Sequence, residues 1–306
     1  MTTIARGLFG SPGGRGAQST ANRIWEVGKA SWMYPSVADA VTAINADPSP
    51  PTTTNRAIIW VHPGKYTSTT PTVIPAYTGV KGDSKYLVQF QNDVGTLFQA
   101  GGSNVFFEDF LVEGSPTAGI YAFDGNNQNA VHIRNVDMLD NGLTARQRFL
   151  IQEGATWSIL TIDQCVVNYR GLDEFACRLT NSGAAARFVD VWVQYSFFDA
   201  FQLTNFGGSF DLRGLQDIRF WYTTIRGTNA PGAASFFNTG IRHRLGGVTG
   251  TPTVEIAHGT MSGVLAGSGG VACFGDAGTA IIIDNSLARG AGSSGTLTVR
   301  NSFITQ

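Results

Sequence analysis

The segment Val131-His-Ile133-Arg-Asn135 carries the pattern that decides the fold of this chain: apolar residues at positions one and three, and a polar residue at position five. The pattern occurs eight times, at residues 105–109, 131–135, 160–164, 189–193, 218–222, 254–258, 281–285 and 297–301. Successive copies begin 26, 29, 29, 29, 36, 27 and 16 residues apart. Alternating apolar residues indicate strands, and repetition at this interval predicts a stacked solenoid.

Each position of the repeat has a predicted place in the coil. Positions one and three share one side of a strand and are predicted to point into the core. Position five is predicted to form a bend between two sheets, because Asn tolerates left-handed backbone geometry and stacked amides can hydrogen-bond from coil to coil. Position eight is apolar again in most copies and is predicted to begin the next strand.

Composition narrows the class of protein. The 306 residues include 38 Gly and 20 Phe, and only 14% are charged, against about 25% in typical domains. The net charge of −1 gives no reason to expect a nucleic-acid or membrane partner. Cys165 and Cys273 are predicted to be small buried apolar residues, and the three cysteines lack metal-binding spacing, so no metal or cofactor is expected.

The chain is predicted to contain an arm and one domain. Residues 1–22 are rich in Gly, Ser, Ala and Thr and are predicted to form an extended arm, with Arg6, Leu8, Phe9 and Arg15 as its docking residues. Residues 23–306 form the predicted solenoid domain. No apolar run is long enough for a membrane span, and the first residues do not resemble a signal peptide, so synthesis in a host cytoplasm is expected.

A short helix is predicted between the first two strands. Ser36 is placed as its N-cap, with Asp39 three residues later in the manner of a capping box. Val37, Val41 and Ile44 share one helical side, and the Pro-rich stretch at 47–51 ends the helix. Such a helix would cover the open end of the solenoid core.

These features resemble the pectate-lyase-like right-handed parallel β-helix superfamily. The resemblance is carried by residues 24–91, with their strand, capping helix and the stretch Ile58-Ile-Trp-Val-His-Pro-Gly-Lys-Tyr-Thr67, and by the coils that follow. It implies an all-β, single-stranded right-handed parallel β-helix. Because this fold is found in lyases, hydrolases, phage tailspikes and structural virion proteins, it leaves the activity open.

Two intervals depart from the repeat. The interval of 36 leaves room for an excursion around 230–234 and 246–252. The interval of 16 is too short for a three-sided coil, so the last two strands are expected to form a hairpin or to close the end differently. A bare strand edge there would need to be covered by that hairpin or by another subunit.

Catalytic motifs are sparse. The sequence contains neither an Asp-Asp step of the polygalacturonase kind nor a Gly-x-Ser-x-Gly, Walker or His-Glu-x-x-His motif. His258 falls at position five and is interpreted as a bend residue. Asp163 and Asp190, on adjacent coils, are the nearest approach to an acid–base pair, which would need a separation of about 5–9 Å; the simpler interpretation is that both are outward polar residues.

The outward positions predict a binding surface. Position four places Glu108, Arg134 and Asp163 in a ladder of alternating charge. It also makes Trp192 and Trp221 neighbours, beside Asp190 and Arg219. Three explanations stay open for the two Trp residues: a loop within 228–252 covers them, a protein partner binds them, or a glycan stacks on them.

The favoured hypothesis is a non-enzymatic structural protein of a phage virion, either a capsid decoration (cement) protein or a tail-associated one, docked by its arm to other virion proteins. A homo-oligomer, a trimer or a dimer, is expected. The alternative is a tailspike-like protein that binds a host surface glycan or depolymerises a polysaccharide. A cellular pectate-lyase-like enzyme is disfavoured by the missing signal peptide and the missing aspartate cluster.

Overall fold

The structure is a computed structural model. It describes residues 23–92, 95–114, 120–125, 128, 130–139, 147–154, 159–171, 175–181, 190–202, 206–215, 217–229, 237–244, 253–264, 271–275, 280–289 and 296–305. The predicted arm with Arg6, Leu8, Phe9 and Arg15, and the predicted excursions at 230–234 and 246–252, lie outside the described residues.

Parallel strands stacked along one axis form the body, and each full coil contributes a strand to three faces. The first face contains β1 (Arg23–Val27), β2 (Ala57–Val61), β5 (Thr78–Gly82), the first halves of β8 (Val105–Gly114) and β10 (Val131–Leu139), β12 (Ile159–Asp163), β15 (Asp190–Gln194), β18 (Asp217–Trp221), β21 (Thr253–Ala257), β24 (Ala280–Asp284) and β26 (Thr296–Arg300).

The second face continues from the first across a bend. It contains β3 (Gly64–Ser68), β6 (Val88–Asn92), the second halves of β8 and β10, β13 (Val166–Gly171), β16 (Phe197–Gln202), β19 (Thr224–Asn229), β22 (Thr260–Val264), β25 (Leu287–Arg289) and β27 (Phe303–Thr305).

The third face is a separate sheet. It contains β4 (Thr72–Ile74), β7 (Thr96–Ala100), β9 (Ile120–Asp124), β11 (Gln147–Gly154), β14 (Phe175–Asn181), β17 (Phe206–Arg213), β20 (Phe237–Arg244) and β23 (Val271–Gly275). All pairings on the three faces are parallel, so the predicted right-handed parallel β-helix is confirmed.

The helix α1 (Val37–Ala46) covers the first coil, as predicted. Ser36 Oγ accepts a hydrogen bond from the backbone N–H of Asp39, and the Ser36 hydroxyl contacts the Asp39 carboxylate at 2.5 Å. Val37, Val41 and Ile44 are buried against the core. Of the helices in the described part of the chain, none has the length and hydropathy of a membrane-spanning segment.

Apolar side chains from the three faces fill the interior. A run of phenylalanine rings follows the axis, with neighbouring ring centres 4.6–6.2 Å apart; it comprises Phe90, Phe98, Phe107, Phe123, Phe149, Phe198, Phe210 and Phe220. Cys165 and Cys177 are buried free thiols, as predicted for Cys165, while the side chain of Cys273 lies outside the described part.

The bend between the first and second faces has left-handed backbone geometry from β8 onward. Position five has positive φ in each copy, at Asp109, Asn135, Gln164, Tyr195, Tyr222, His258, Asn285 and Asn301. Position-five side chains of neighbouring coils meet at Asn135, whose Nδ2 donates to Asp109 Oδ1 at 2.6 Å, so the partner of this amide is a carboxylate and not a second amide. The bend placement of His258 is therefore confirmed.

The register corrects one copy of the repeat. Leu160 stands opposite Val191, so the fourth copy covers 191–195 and not 189–193. Val191 and Val193 occupy positions one and three, Tyr195 occupies position five, and the buried Phe198 occupies position eight. The error has a physical origin: strand alternation has a period of two, so a shift by two residues keeps the same side of the strand inward.

The structure also shows which strands lie within the two irregular intervals. β26 and β27 pair in parallel with β24 and β25, so the hairpin interpretation of the final interval is wrong. Within the described residues, this last coil has strands on the first and second faces only. Within the interval of 36, the described residues include β20 on the third face, and the predicted excursions lie outside the described residues.

Candidate functional site: an aromatic surface across the first face and its bend

The two predicted Trp residues contact each other on the outer side of the first face. The rings of Trp192 on β15 and Trp221 on β18 have centres 5.2 Å apart at an interplanar angle of 73°, a T-shaped contact. They meet diagonally, because Trp192 stands opposite Arg219 and Trp221 stands opposite Gln194. Both rings are partly exposed, so in the described part of the structure they are accessible to a ligand.

Arg219 completes the contact between the two coils. Its guanidinium carbon lies 4.6 Å from the centre of the Trp192 ring, within the range of a cation–π interaction. On the other side, Arg219 Nε lies 3.9 Å from Glu255 Oε2. Trp192, Trp221 and Arg219 therefore lie together on the outer side of the first face.

A stacked column of three rings runs beside the Trp pair at the bend. The rings of Tyr195 and Tyr222 are 5.1 Å apart at 8°, and those of Tyr222 and His258 are 4.8 Å apart at 10°. The left-handed backbone at position five turns each of these side chains outward in the same way. Tyr195 is 57% exposed and Tyr222 is 49% exposed. We call Trp192, Trp221, Tyr195, Tyr222 and His258 the aromatic surface.

Sequence reasoning missed Tyr195 and Tyr222 as members of this surface. A fourth copy placed at 189–193, two residues before its position in the structure, hides the equivalence of Tyr195, Tyr222 and His258. A signal was available, since each bend residue is followed by a small residue: Ser196, Thr223 or Gly259. Aligning these pairs with Asn285-Ser286 and Asn301-Ser302 reveals the column.

The two aspartates proposed for this region do not form a pair. Asp163 stands opposite Gln194, whereas Asp190 stands opposite Ile159 and Asp217, four residues away along the strand. At a rise of about 3.3 Å per residue, this offset separates their positions by about 13 Å. That is beyond the separation of about 5–9 Å required for the acid–base interpretation, which is therefore excluded. The side chain of Asp190 lies outside the described part.

Asp163 instead belongs to the predicted charge ladder. Arg134 lies 3.6 Å from Glu108 on one side and 3.6 Å from Asp163 on the other. Burial raises the pKa of the Asp163 carboxyl, and it outweighs the opposing effects of Arg134 and of a hydrogen bond with Gln194. The ladder ends where the aromatic surface begins.

Nucleophilic and metal chemistry find no support among the described side chains. Burial raises the pKa of the Cys165 thiol to about 12, and it raises that of Cys177 well above its ordinary value. A buried thiol is a poor nucleophile because the thiolate is the reactive form. No group of three His, Cys, Asp or Glu residues in the described ranges is placed to hold a metal ion.

Comparison with known proteins identifies the fold. No family model matches the chain, and no curated protein matches its sequence. Among solved structures, a rhamnogalacturonan lyase superposes with a TM-score of 0.51 at 11% identity, over 88% of this chain and 74% of that one. At this identity the likeness shows the fold alone, a parallel β-helix.

Two further structures resemble this β-helix less closely. The pectin methylesterase from Aspergillus niger has a TM-score of 0.42 at 13% identity, over 94% of this chain and 87% of that one. The tailspike protein of the Acinetobacter phage vB_ApiP_P1 has a TM-score of 0.43 at 11% identity, over 86% and 55% of the two chains. At such identities the similarity concerns the fold.

Proposed function

We propose that this β-helix is a non-enzymatic binding module that holds an extended polysaccharide along its aromatic surface. The observation that carries the proposal is the Trp192–Trp221 pair beside a stacked column of three rings, with Arg219 over the Trp192 ring. Accessible aromatic groups of this extent are typical of binding sites. These residues support the function more specifically than the fold does, because the fold alone is compatible with many activities.

The repeat of the surface matches a repeating ligand. Equivalent side chains on successive coils are roughly 4.8 Å apart, which is about the length of one sugar ring. From Trp192 to Trp221 and on to His258, the surface extends over three coils, or about 10 Å. A polysaccharide lying along the axis therefore meets a new set of contacts with each sugar.

The geometry of the column assigns different roles to the rings. Tyr195, Tyr222 and His258 cover one another's faces, so they offer their edges and polar atoms to a ligand. The Trp pair is T-shaped and partly exposed beside the column, with Arg219 over one face of the Trp192 ring. We therefore assign sugar stacking to the Trp pair and hydrogen bonding to the Tyr and His column.

The carboxylates next to the surface favour binding over cleavage. Asp163 faces Arg134, and Glu255 faces Arg219. Glycoside cleavage needs one carboxylic acid and one carboxylate at a defined separation across the scissile bond. Asp163 and Glu255 lie on different coils and each faces an arginine, which fits a structural charge ladder better than a catalytic acid–base pair.

The test is a glycan array followed by titration calorimetry with the polysaccharide that binds. Trp221→Ala is expected to weaken binding by about tenfold or more, as for a central aromatic contact. Trp32→Ala is the matched control, because Trp32 is exposed and lies outside the aromatic surface. Equal affinities of the two variants would overturn the site, and release of oligosaccharides would favour a depolymerase instead.

The location in a bacteriophage particle is part of the same proposal. The Gly-rich arm with Arg6, Leu8, Phe9 and Arg15 supports docking to other virion proteins, as a capsid decoration (cement) protein or a tail-associated protein. Deletion of residues 2–22 is expected to leave a folded β-helix that no longer assembles into particles. Particles that still contain the truncated protein would contradict docking by the arm. Sedimentation analysis tests the expected trimer or dimer.

A further inference from the structure

A lysine and two carboxylates lie together beside the first face, three coils before the Trp pair. Lys81 is on β5, and Glu108 and Asp109 are on β8, the next coil. Lys81 Nζ donates a hydrogen bond to Asp109 Oδ2 and lies 2.9 Å from Glu108 Oε2. The Lys81 side chain is only 7% exposed and that of Glu108 only 6%.

The neighbours of this group orient its reacting atoms. Asp109 has a φ of 63°, and Asn135 Nδ2 donates to its Oδ1 at 2.6 Å, which leaves Oδ2 directed at Lys81. The Trp60 ring centre lies 5.9 Å from Nζ. Glu108 Oε2 is buried and, within the described residues, makes no hydrogen bond of good geometry, although Nζ is close to it.

We propose that Lys81 and Asp109 form an intramolecular isopeptide bond, with Glu108 carrying the protons. The Nζ–Cγ bond forms and the Cγ–Oδ2 bond breaks. Nζ gives up two protons, and both leave with Oδ2 as one molecule of water. The ammonium and carboxylate charges cancel in the product, so no oxidant, reductant or other reactant is consumed.

Each residue has a distinct part in this condensation. The neutral amine is the form that attacks, and it arises when Nζ passes a proton to a carboxylate beside it. Glu108 lies within reach of Nζ and can accept its proton and return it to the leaving oxygen. Asn135 donates to Oδ1, where negative charge develops when Nζ adds to Cγ. The fixed geometry replaces a collision between two separate groups.

The chain provides two matched pairs that lack these features. Lys65 Nζ on β3 lies 2.9 Å from Glu113 Oε2 on β8, across the intervening strand β6, but the Lys65 side chain is 51% exposed. Lys85 and Asp137 form a buried pair at 2.5 Å, but the second contact described for the Lys85 ammonium is a backbone oxygen, that of Gln164, and not a second carboxylate. Both pairs are expected to stay ion pairs.

The experiment is intact-mass spectrometry of the full-length protein, followed by tryptic peptide mapping. The expected mass is lower than the sequence mass by one water. Trypsin is expected not to cleave after Lys81, and one branched peptide should join the segments that contain Lys81 and Asp109. The full sequence mass in the folded protein would overturn the proposal.

Mapping also excludes another source of the mass deficit. Asp124-Gly125 can lose water by forming a succinimide within its own segment. A deficit mapped to that segment, or to the Lys65–Glu113 or Lys85–Asp137 pairs, would overturn the assignment to Lys81 and Asp109.

Variants separate the roles of the three residues. Lys81→Arg is expected to restore the full mass, and Glu108→Gln is expected to reduce the cross-linked fraction at least tenfold at equal times after purification. Lys65→Arg is the control and is expected to keep the deficit. If Glu108→Gln keeps the bond, Glu108 is not the proton carrier; if a variant fails to fold, the wild-type peptide map still decides whether the bond exists.

Discussion

Residues with left-handed backbone geometry mark the bend between the first and second faces. Asn285, with a φ of 43°, is exposed at this position, and its backbone N–H donates to the Arg300 carbonyl of the next coil. A side chain branched at Cβ is strained in this conformation.

Asn285→Val is therefore expected to lower the free energy of unfolding by about 1–2 kcal/mol. Asn285→Gly is the matched control and is expected to change it by less than about 1 kcal/mol, since Gly adopts positive φ freely. Chemical denaturation measures both. A Val variant as stable as the Gly variant would contradict the expected strain of a Cβ-branched side chain at this bend.

His132 makes the stability of the folded protein depend on pH. Burial lowers the pKa of its imidazole below the ordinary value of 6.5, and the nearby Arg56 charge lowers it further. As the pH falls below about 6.5, the unfolded chain binds a proton that the folded chain does not. Stability therefore decreases as the pH falls from 6.5 through the lower pKa of the folded state.

His132→Gln is expected to reduce this loss. The measurement compares the free energies of unfolding of the wild type and the variant at about pH 7.5 and about pH 5.5. The wild type should lose more stability between the two values than the variant does. Equal losses would mean that other groups are responsible for the acid sensitivity.

At the scale of elements, close packing between β5 and β8 requires glycine. Gly79 stands opposite Phe106, and a Cβ atom at Gly79 would overlap the Phe106 ring. A Cβ atom at Gly82 would overlap the backbone carbonyl of Asp109 instead. The Phe106 ring can be removed by substitution, whereas the Asp109 carbonyl belongs to the backbone of β8 and cannot.

Gly79→Ala is expected to cost about 1–3 kcal/mol of unfolding free energy. In a Phe106→Ala background, the same substitution should cost clearly less, because the clashing ring is gone. Gly82→Ala is the control, and Phe106→Ala should not rescue it. A double-mutant cycle by urea denaturation gives the coupling energies, and additive effects for Gly79 and Phe106 would contradict the predicted clash.

At the scale of the whole molecule, each coil contacts mainly the coils beside it. Stability in such a solenoid is close to a sum of local terms. In the last coils, Ser302 Oγ accepts from the Ser286 N–H at 3.0 Å and donates to the Arg300 carbonyl at 2.6 Å. This hydroxyl joins two successive bends on the inner side.

Ser302→Ala leaves the Ser286 N–H without that acceptor, at a cost of about 1–3 kcal/mol if the group stays buried. Hydrogen exchange is expected to accelerate in β24–β27 and to stay unchanged in α1 and β2. Ser36→Ala is the control at the other end, where loss of the N-cap should accelerate exchange in α1 alone. Acceleration along the whole chain by either variant would indicate global cooperativity.

The repeated aliphatic pairs were sufficient to predict the β-helix. Residues such as Val131 and Ile133 have to be buried, and strands with a common repeat bury them by stacking in parallel. The capping helix was equally predictable, because Ser36 and Asp39 are three residues apart and hydrogen-bond to each other. These features depend on neighbours in sequence and on the period of a strand.

The candidate site was predicted only in part. Trp192, Trp221 and Arg219 were placed together, but the register between coils was not determined, because shifting a strand by two residues preserves its inward side. The structure therefore decided that Asp163 and Asp190 lie apart, that Tyr195 stacks on Tyr222, and that Lys81 meets Glu108 and Asp109.

The sequence by itself determined which residues face the core of this protein, since burial of apolar side chains follows from alternation along one strand. Only the tertiary structure decided which outward residues touch, since contacts between coils join residues about thirty positions apart whose alignment no local rule specifies.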